Sequence, residues 1–92
     1  MARVHELKCW PEFFEGHIDK TKTFELRKDD RGFQVGDFLW LREWNPKENP
    51  PVYTNREALR KITGILHGSK CPVNWGLAKD YVILSLSHST IT

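Results

Sequence analysis

Ninety-two residues with a mass of 10.8 kDa allow one domain over residues 1–92 and exclude a two-domain enzyme, because a domain ordinarily takes roughly 100 to 200 residues. Lys+Arg 14 against Asp+Glu 12 gives a formal charge of +2, so bulk charge alone does not mark a nucleic-acid protein, while 39% hydrophobic and 12% aromatic content excludes a disordered chain. A chain of this size buries only about 60 to 68% of its unfolded surface, so a groove or shallow pocket is expected rather than a deep chamber.

The first predicted element is a strand over residues 4–9, with Leu7 and Cys9 on one face and Glu6 and Lys8 on the other. Pro11 then opens a predicted helix over 11–18, where its missing N–H costs nothing, and Phe14 and Ile18, one turn apart, are its expected buried edge. Gly16 weakens that helix by about 1 kcal/mol relative to alanine. Residues 23–28 form the cleanest alternation in the chain: Phe24 and Leu26 are expected in the core, with Thr23, Glu25 and Arg27 opposite. Gly36-Asp37 reads as a tight turn feeding a strand over 38–44 that is apolar on both faces.

Three prolines within Asn45 to Pro51 forbid helix and central strand and predict an exposed loop. Further strands are expected over 58–67 and 81–87, the last with Val82, Leu84 and Leu86 inward; Asn55 to Arg60 suits a helical turn as well as a strand. Gly68 to Gly76 is an irregular wrap with Trp75 expected inside. Five strands and a short helix predict a mostly β (α+β) barrel.

No apolar run approaches the roughly 20 residues of a membrane helix, and MARVHELK lacks the apolar stretch of a signal peptide. No membrane partner is expected, and the expected compartment is the cytoplasm. There Cys9 and Cys71 stay reduced thiols.

Several chemistries find no supporting pattern. His5, Cys9, His17, His67, Cys71 and His88 are scattered without metal-ligand spacing, so no metal is expected, and no glycine-rich phosphate loop implies a cofactor. Cys71 with His67, and Ser85, Ser87 and Ser89 beside His88, match no nucleophile motif.

The polar face of the second strand is the stronger candidate. Glu25 and Arg27 project from one face about 6.6 to 6.8 Å apart, offering an acceptor and a planar fork of donors suited to a base edge beside a phosphate. The residue pattern alone favours a surface salt bridge over a site. Lys20 to Arg31 carries a local surplus of two positive charges that includes Lys22, Arg27, Lys28 and Arg31, and Lys8, His5 and Trp10 come within reach if the first two strands are neighbours. Basic residues interleaved with rings suit single-stranded nucleic acid. A catalytic version makes Lys22 a base and Glu25 an acid or orienting group, which requires the lysine pKa to fall toward neutrality.

HELKCWPEFFEGHIDKTKTFELRKDDRGFQVGDFLWLREW, His5 to Trp44, together with DYVILSLS at Asp80 to Ser87, resembles a family of small bacterial and phage proteins of undefined function in the PUA-like superfamily, close to ASCH domains. The shared stretches are HELK, KTFELRK, DRGFQVGD and YVILSL, and the resemblance covers about two thirds of the chain. It implies a PUA-like β-barrel with one or two short helices and a role in binding RNA. In the Gly-x-Lys-x-x-Glu-x-Arg motif typical of ASCH domains, Lys22, Glu25 and Arg27 fall on the last three defined positions. Lys20 stands where the motif has glycine, a departure expected to change the turn that presents Lys22. Some ASCH-like amidohydrolases of modified cytidine pair the lysine with a threonine where this chain has Glu25, which argues against the same chemistry here.

The expected function is therefore binding of RNA or a modified nucleotide in a cleft between the first two strands. Lys8, Lys22, Arg27 and Lys28 contact phosphate or base, Glu25 accepts from a base amino group, Trp10 or Trp44 stacks, and His5 and Arg31 lie in the same region. The alternatives are a nucleotide-directed hydrolase or ribonuclease using Lys22 and Glu25, and a phage module that binds a host protein.

Overall fold

A computed structural model describes residues 2–87. The elements are β1 (Val4–Cys9), α1 (Pro11–Ile18), β2 (Phe24–Lys28), β3 (Phe38–Asn45), β4 (Val52–His67) and β5 (Tyr81–Leu86), with two 3₁₀ turns at Gly68–Lys70 and Val73–Trp75. They form one mixed sheet of order β1-β3-β4-β5-β2, in which only the β1–β3 pair is parallel. The mostly β, α+β expectation holds at that level.

The long strand β4 determines the shape of the sheet. Its first part pairs with β3 and its last part with β5, so one strand carries the chain between two halves. Register shifts at Arg42/Trp44 and Ile62/Gly64 break the ladder on either side, and such irregularities bend and twist a strand. Asn55 adopts φ +72°, a left-handed conformation that asparagine tolerates better than most residues. Asn55 falls where the β3–β4 register jumps from Glu57 to Tyr53, and Asn55 to Arg60 lies within the strand β4 rather than in a helical turn. The proline-rich segment is the loop between β3 and β4, exposed from Lys47 onward.

The sheet is not closed as the barrel expectation requires. Among the described residues β1 and β2 share no ladder, and guanidinium groups span the gap in its place. Arg27 Nη2 donates to Lys8 O at 2.8 Å and Arg31 Nη1 donates to Glu6 O at 2.8 Å. Arg3 Nη2 donates to Arg31 O and Gly32 O at 2.9 and 2.6 Å. Carbonyls that a neighbouring strand would otherwise satisfy are met by side chains.

Leu7, Cys9, Phe14, Leu39, Leu41, Ile62, Val82, Leu84 and Leu86 make the core, as the alternation of the first, third and last strands predicts. Four placements differ from expectation. On β2 the faces are exchanged: Phe24 and Leu26 are 46% and 54% exposed, whereas Glu25 is 3% exposed. On α1, His17 rather than Ile18 joins Phe14 inside. Trp75 is 68% exposed rather than tucked in. On β3, Glu43 shares the buried face with Leu39 and Leu41. In each inward polar case a partner compensates the loss of water, as buried polar groups require.

Candidate functional site

The site grows from the link between α1 and β2. Trp10 O accepts from Phe13 N and Phe14 N at the start of α1, and Pro11 occupies the first turn. The helix ends at Asp19, whose Oδ1 accepts from Thr21 N and Thr21 Oγ1 at 3.0 and 2.6 Å. Lys20 in this turn takes φ +67°, the left-handed region in which a side chain is strained. The chain then doubles back so that Lys22 N donates to Gly16 O at 2.9 Å. A Cβ on Gly16 would lie 2.6 Å from Lys22 Cβ, so glycine is what allows this close approach.

The turn delivers Lys22 to a carboxylate. Glu25 Oε2 accepts from His17 Nε2 at 2.6 Å and from Lys22 Nζ. Its Oε1 accepts from Arg27 Nε at 2.9 Å, and Arg27 Nη2 lies at the same distance. An ionised carboxylate only accepts, so Nε2 of His17 carries the proton. Lys22 Nζ also stands 3.3 Å from that nitrogen, while His17 Nδ1 has no hydrogen-bond partner among the described residues. Arg60 Nη2 donates to His17 O at 3.0 Å and fixes this end of the helix.

Burial alone would raise the Glu25 pKa, but the hydrogen bonds from His17 and Lys22 and the charge of Arg27 override it and hold the carboxyl at about 2. The Cys9 thiol, beside this carboxylate, is pushed up to about 11 by burial and then by the negative charge of Glu25. It is therefore a thiol rather than a nucleophilic thiolate. Cys9, His17 and Glu25 bring potential metal-ligand atoms within 4.8 Å of one another. Within that group the Lys22 ammonium already sits against Glu25 and His17, supplying the positive charge a metal would bring.

Beside this cluster lies an open pocket of about 460 Å³, lined by Lys8, Cys9, Trp10, Phe13, Lys22, Phe24, Glu25, Leu26 and Arg27. It occupies the gap between β1 and β2, with the first turn of α1 along one side. Lys22 Nζ lies 5.8 Å from the Phe13 ring centre and 5.5 Å from that of Phe24. The Trp10 and Phe13 rings stack with centres 6.4 Å apart and an interplanar angle of 28°. Three cations against one carboxylate leave the lining with two surplus positive charges. Arg27 Nη1 has no partner among the described residues.

Of the residues expected from sequence, Lys8, Trp10, Lys22, Glu25 and Arg27 converge on this pocket. Trp44 is adjacent, with Lys8 Nζ 4.4 Å above its ring. Lys28 and Arg31 are exposed but are not part of the lining, and Arg31 is engaged with Glu6 O. His5 is a correction: it is buried at the other end of β1, with Nε2 2.9 Å from Asp37 Oδ2 and its ring against Phe33. Glu25 already accepts from His17 Nε2, Lys22 Nζ and Arg27 Nε, which occupy three of its roughly four lone-pair sites.

Cys71 Sγ donates to the backbone carbonyl of His67 rather than meeting its imidazole, and Ser85 Oγ pairs with Thr63 Oγ1. His88 and Ser89 lie outside the described residues. The residues that sequence reasoning missed are His17, Phe13 and Phe24. The signal was positional for the first two, one turn from Phe14 for His17 and one residue from it for Phe13, whereas Phe24 was expected in the core and lines the pocket instead.

Residues 4–86 match the family described as "Domain of unknown function (DUF3850)". The chain belongs to the DUF3850 family. A relative from Escherichia phage P2, "Uncharacterized 12.9 kDa protein in GpA 3'region", is 34% identical over 84 residues, covering 91% of this chain and 68% of the phage protein. All of β1 to β5, and with them every pocket residue, lies inside the DUF3850 match. Among the described residues no helix is long and apolar enough to cross a membrane.

Proposed function

We propose that this DUF3850 domain binds RNA, or a modified nucleotide, by taking one base into the pocket between β1 and β2. The observation that carries the reading is an open, ring-lined slot of about 460 Å³ in which cationic donors outnumber acceptors. Trp10, Phe13 and Phe24 supply ring surface, and single-stranded nucleic acid is held by stacking on such rings together with cations that track the backbone. Lys22 and Arg27, anchored by Glu25, present their remaining N–H groups to phosphate or to base carbonyls. Glu25 positions both cations and does not touch the ligand.

The finer fold reading is a PUA-like barrel related to ASCH domains and opened at the arginine-bridged gap. Lys20, at the motif's glycine position, adopts the left-handed conformation glycine favours, which supports the alignment of Lys22, Glu25 and Arg27 with that motif. A cytoplasmic setting suits the free thiols of Cys9 and Cys71.

Hydrolysis of an acylated nucleobase, or RNA cleavage, is the second reading, favoured by the convergence of Lys22 and His17 on one oxygen of Glu25. A general base works best with a pKa near the operating pH, and a carboxylate at about 2 is too weak to serve well. That difference favours binding over catalysis by Glu25. A product formed from acylated nucleosides or oligoribonucleotides, and lost in Lys22→Ala, would reverse the order.

The test of binding is a labelled single-stranded oligoribonucleotide titrated at several salt concentrations. Trp10 and Phe13 are about half exposed, so Trp10→Ala and Phe13→Ala leave the melting temperature nearly unchanged. Each lowers affinity about 5- to 100-fold, the loss of one stacking interaction. Log affinity falls with log salt by about 0.7 per phosphate neutralised. Unaltered affinity in both variants overturns the base-pocket reading.

A further inference from the structure

Outside the pocket, the outward face of β3 sets one cation, Arg42, between the rings of Trp40 and Trp44, with Glu6 of β1 opposite Trp40 and Glu57 of β4 opposite Arg42. Trp40, Arg42 and Trp44 share that face at steps of about 6.6 to 6.8 Å. Tyr53 of β4 pairs with Trp44 in register, and Lys8 of β1 pairs with Arg42. The Arg42 guanidinium lies 3.9 Å from the Tyr53 ring centre and 5.0 Å from that of Trp40. α1 does not cover this side, because its buried residues Phe14 and His17 pack with Arg56, Glu25 and Arg60 of the opposite face.

We infer that this face is a track for single-stranded RNA leading out of the pocket, so that the ligand is an oligonucleotide rather than a mononucleotide. The inference rests on the reading of the pocket as a base site and extends it. Continuity comes from Lys8, which lines the pocket and also holds its ammonium 4.4 Å over the Trp44 ring. An exposed cation–π contact is weaker than a base stacked on an aromatic ring. A base therefore displaces the Lys8 ammonium and leaves it beside the phosphate chain.

The same exchange applies at Arg42, whose present partner Glu6 is half exposed at 2.7 Å. Such exposed pairs are weak, and a phosphate replaces the carboxylate. On the outward face of β2, β5 and β4, Leu26, Ile83 and Leu66 lie side by side in register, an aliphatic strip between the Phe24 ring and the Lys28–Tyr81 pair.

The experiment compares uridine monophosphate with oligouridylates of about two, four and eight nucleotides. Affinity is expected to rise with length, by at least about tenfold from the monophosphate to the longest oligomer. Trp44→Ala is expected to remove at least about fivefold of that gain and to change monophosphate binding less than about twofold. Trp44→Phe, which keeps a ring, retains most of the gain.

Should Trp44→Ala fail to fold, Arg42→Gln tests the same track, because Arg42 lies outside the pocket lining and the salt slope for the longest oligomer should fall by about 0.7. Equal affinity at all lengths, or an unchanged slope, overturns the track while leaving the pocket standing. Absence of binding at every length overturns the pocket reading and the track together.

Discussion

Two carboxylates point into this small sheet from strands, and they are neutralised in opposite ways. Glu43 on β3 meets Arg56 through Nε and Nη2, both at 2.9 Å, and accepts from Thr54, but the same arginine also serves Glu15. Two acids share one cation, and none of these residues lines the pocket between β1 and β2. Glu25 on β2 meets two cations and a histidine, and the donors it does not absorb face a slot walled by rings. Burial and ion pairing are common to both clusters. What separates the candidate site from the structural brace is the excess of donors over acceptors beside an opening.

The largest expected effect tests the shared part of that comparison. Glu25→Gln leaves the buried His17 and the largely covered Lys22 and Arg27 without a charged partner, a loss that costs about 3 to 5 kcal/mol for a deeply buried pair. Glu43→Gln costs less, because its partner Arg56 is 46% exposed, and denaturant unfolding measures both. Below their unfolding transitions the two variants diverge: Glu25→Gln weakens oligonucleotide binding because Lys22 and Arg27 lose their anchor, and Glu43→Gln leaves it intact. Equal loss of binding in both would erase the distinction.

Acid sharpens the contrast further. The Glu25 carboxyl is held at about 2 against an ordinary 4.5, so its stabilisation is fully present above pH 4.5 and is lost as pH falls toward 2. Its size is on the order of 3 kcal/mol. The Glu43 pKa is lowered too, chiefly by the hydrogen bond from Arg56. Unfolding midpoints between pH 6 and 2 should fall steeply in the wild type and less steeply in Glu25→Gln, and parallel curves would contradict the assignment.

A smaller effect is expected at Gly16, where an added methyl meets Lys22 Cβ. Overpacking of about 1 to 3 kcal/mol outweighs the roughly 1 kcal/mol gain in helix propensity, so Gly16→Ala lowers stability modestly and weakens binding by displacing Lys22. The smallest change is Lys20→Gly. Relief of left-handed strain, about 1 to 2 kcal/mol, exceeds the unfolded-state entropy cost of about 0.4 to 1 kcal/mol. Thermal unfolding should show a slight gain, and a loss would mean that the Lys20 side chain contributes contacts of its own.

Period-two patterns made the strands legible, and Pro11 made the helix start legible. Alternation separates two faces without saying which one turns inward, and on β2 the apolar set, Phe24 and Leu26, went to the surface. Glu25 is tolerated inside because His17, Lys22 and Arg27 converge on it, and that convergence is a tertiary fact: His17 comes from α1, while Lys22 depends on the Asp19–Thr21 turn. The pairing of Lys22, Glu25 and Arg27 was visible as a motif. The pocket's ring walls were visible only in part, since Trp10 was singled out while Phe24 was expected in the core and Phe13 was assigned no role. The open edge was hidden for the same reason, because nothing in the spacing of Arg3, Arg27 and Arg31 announces that their side chains replace a ladder.

The most direct test of the central claim is an amide and indole NMR titration of the labelled protein with a short single-stranded oligoribonucleotide. The account predicts shifts at the Trp10 indole, Phe13, Lys22 and Arg27, with the Glu43–Arg56 cluster unmoved. Shifts centred on the Glu43–Arg56 cluster, or none at the four pocket residues under saturating ligand, would contradict it.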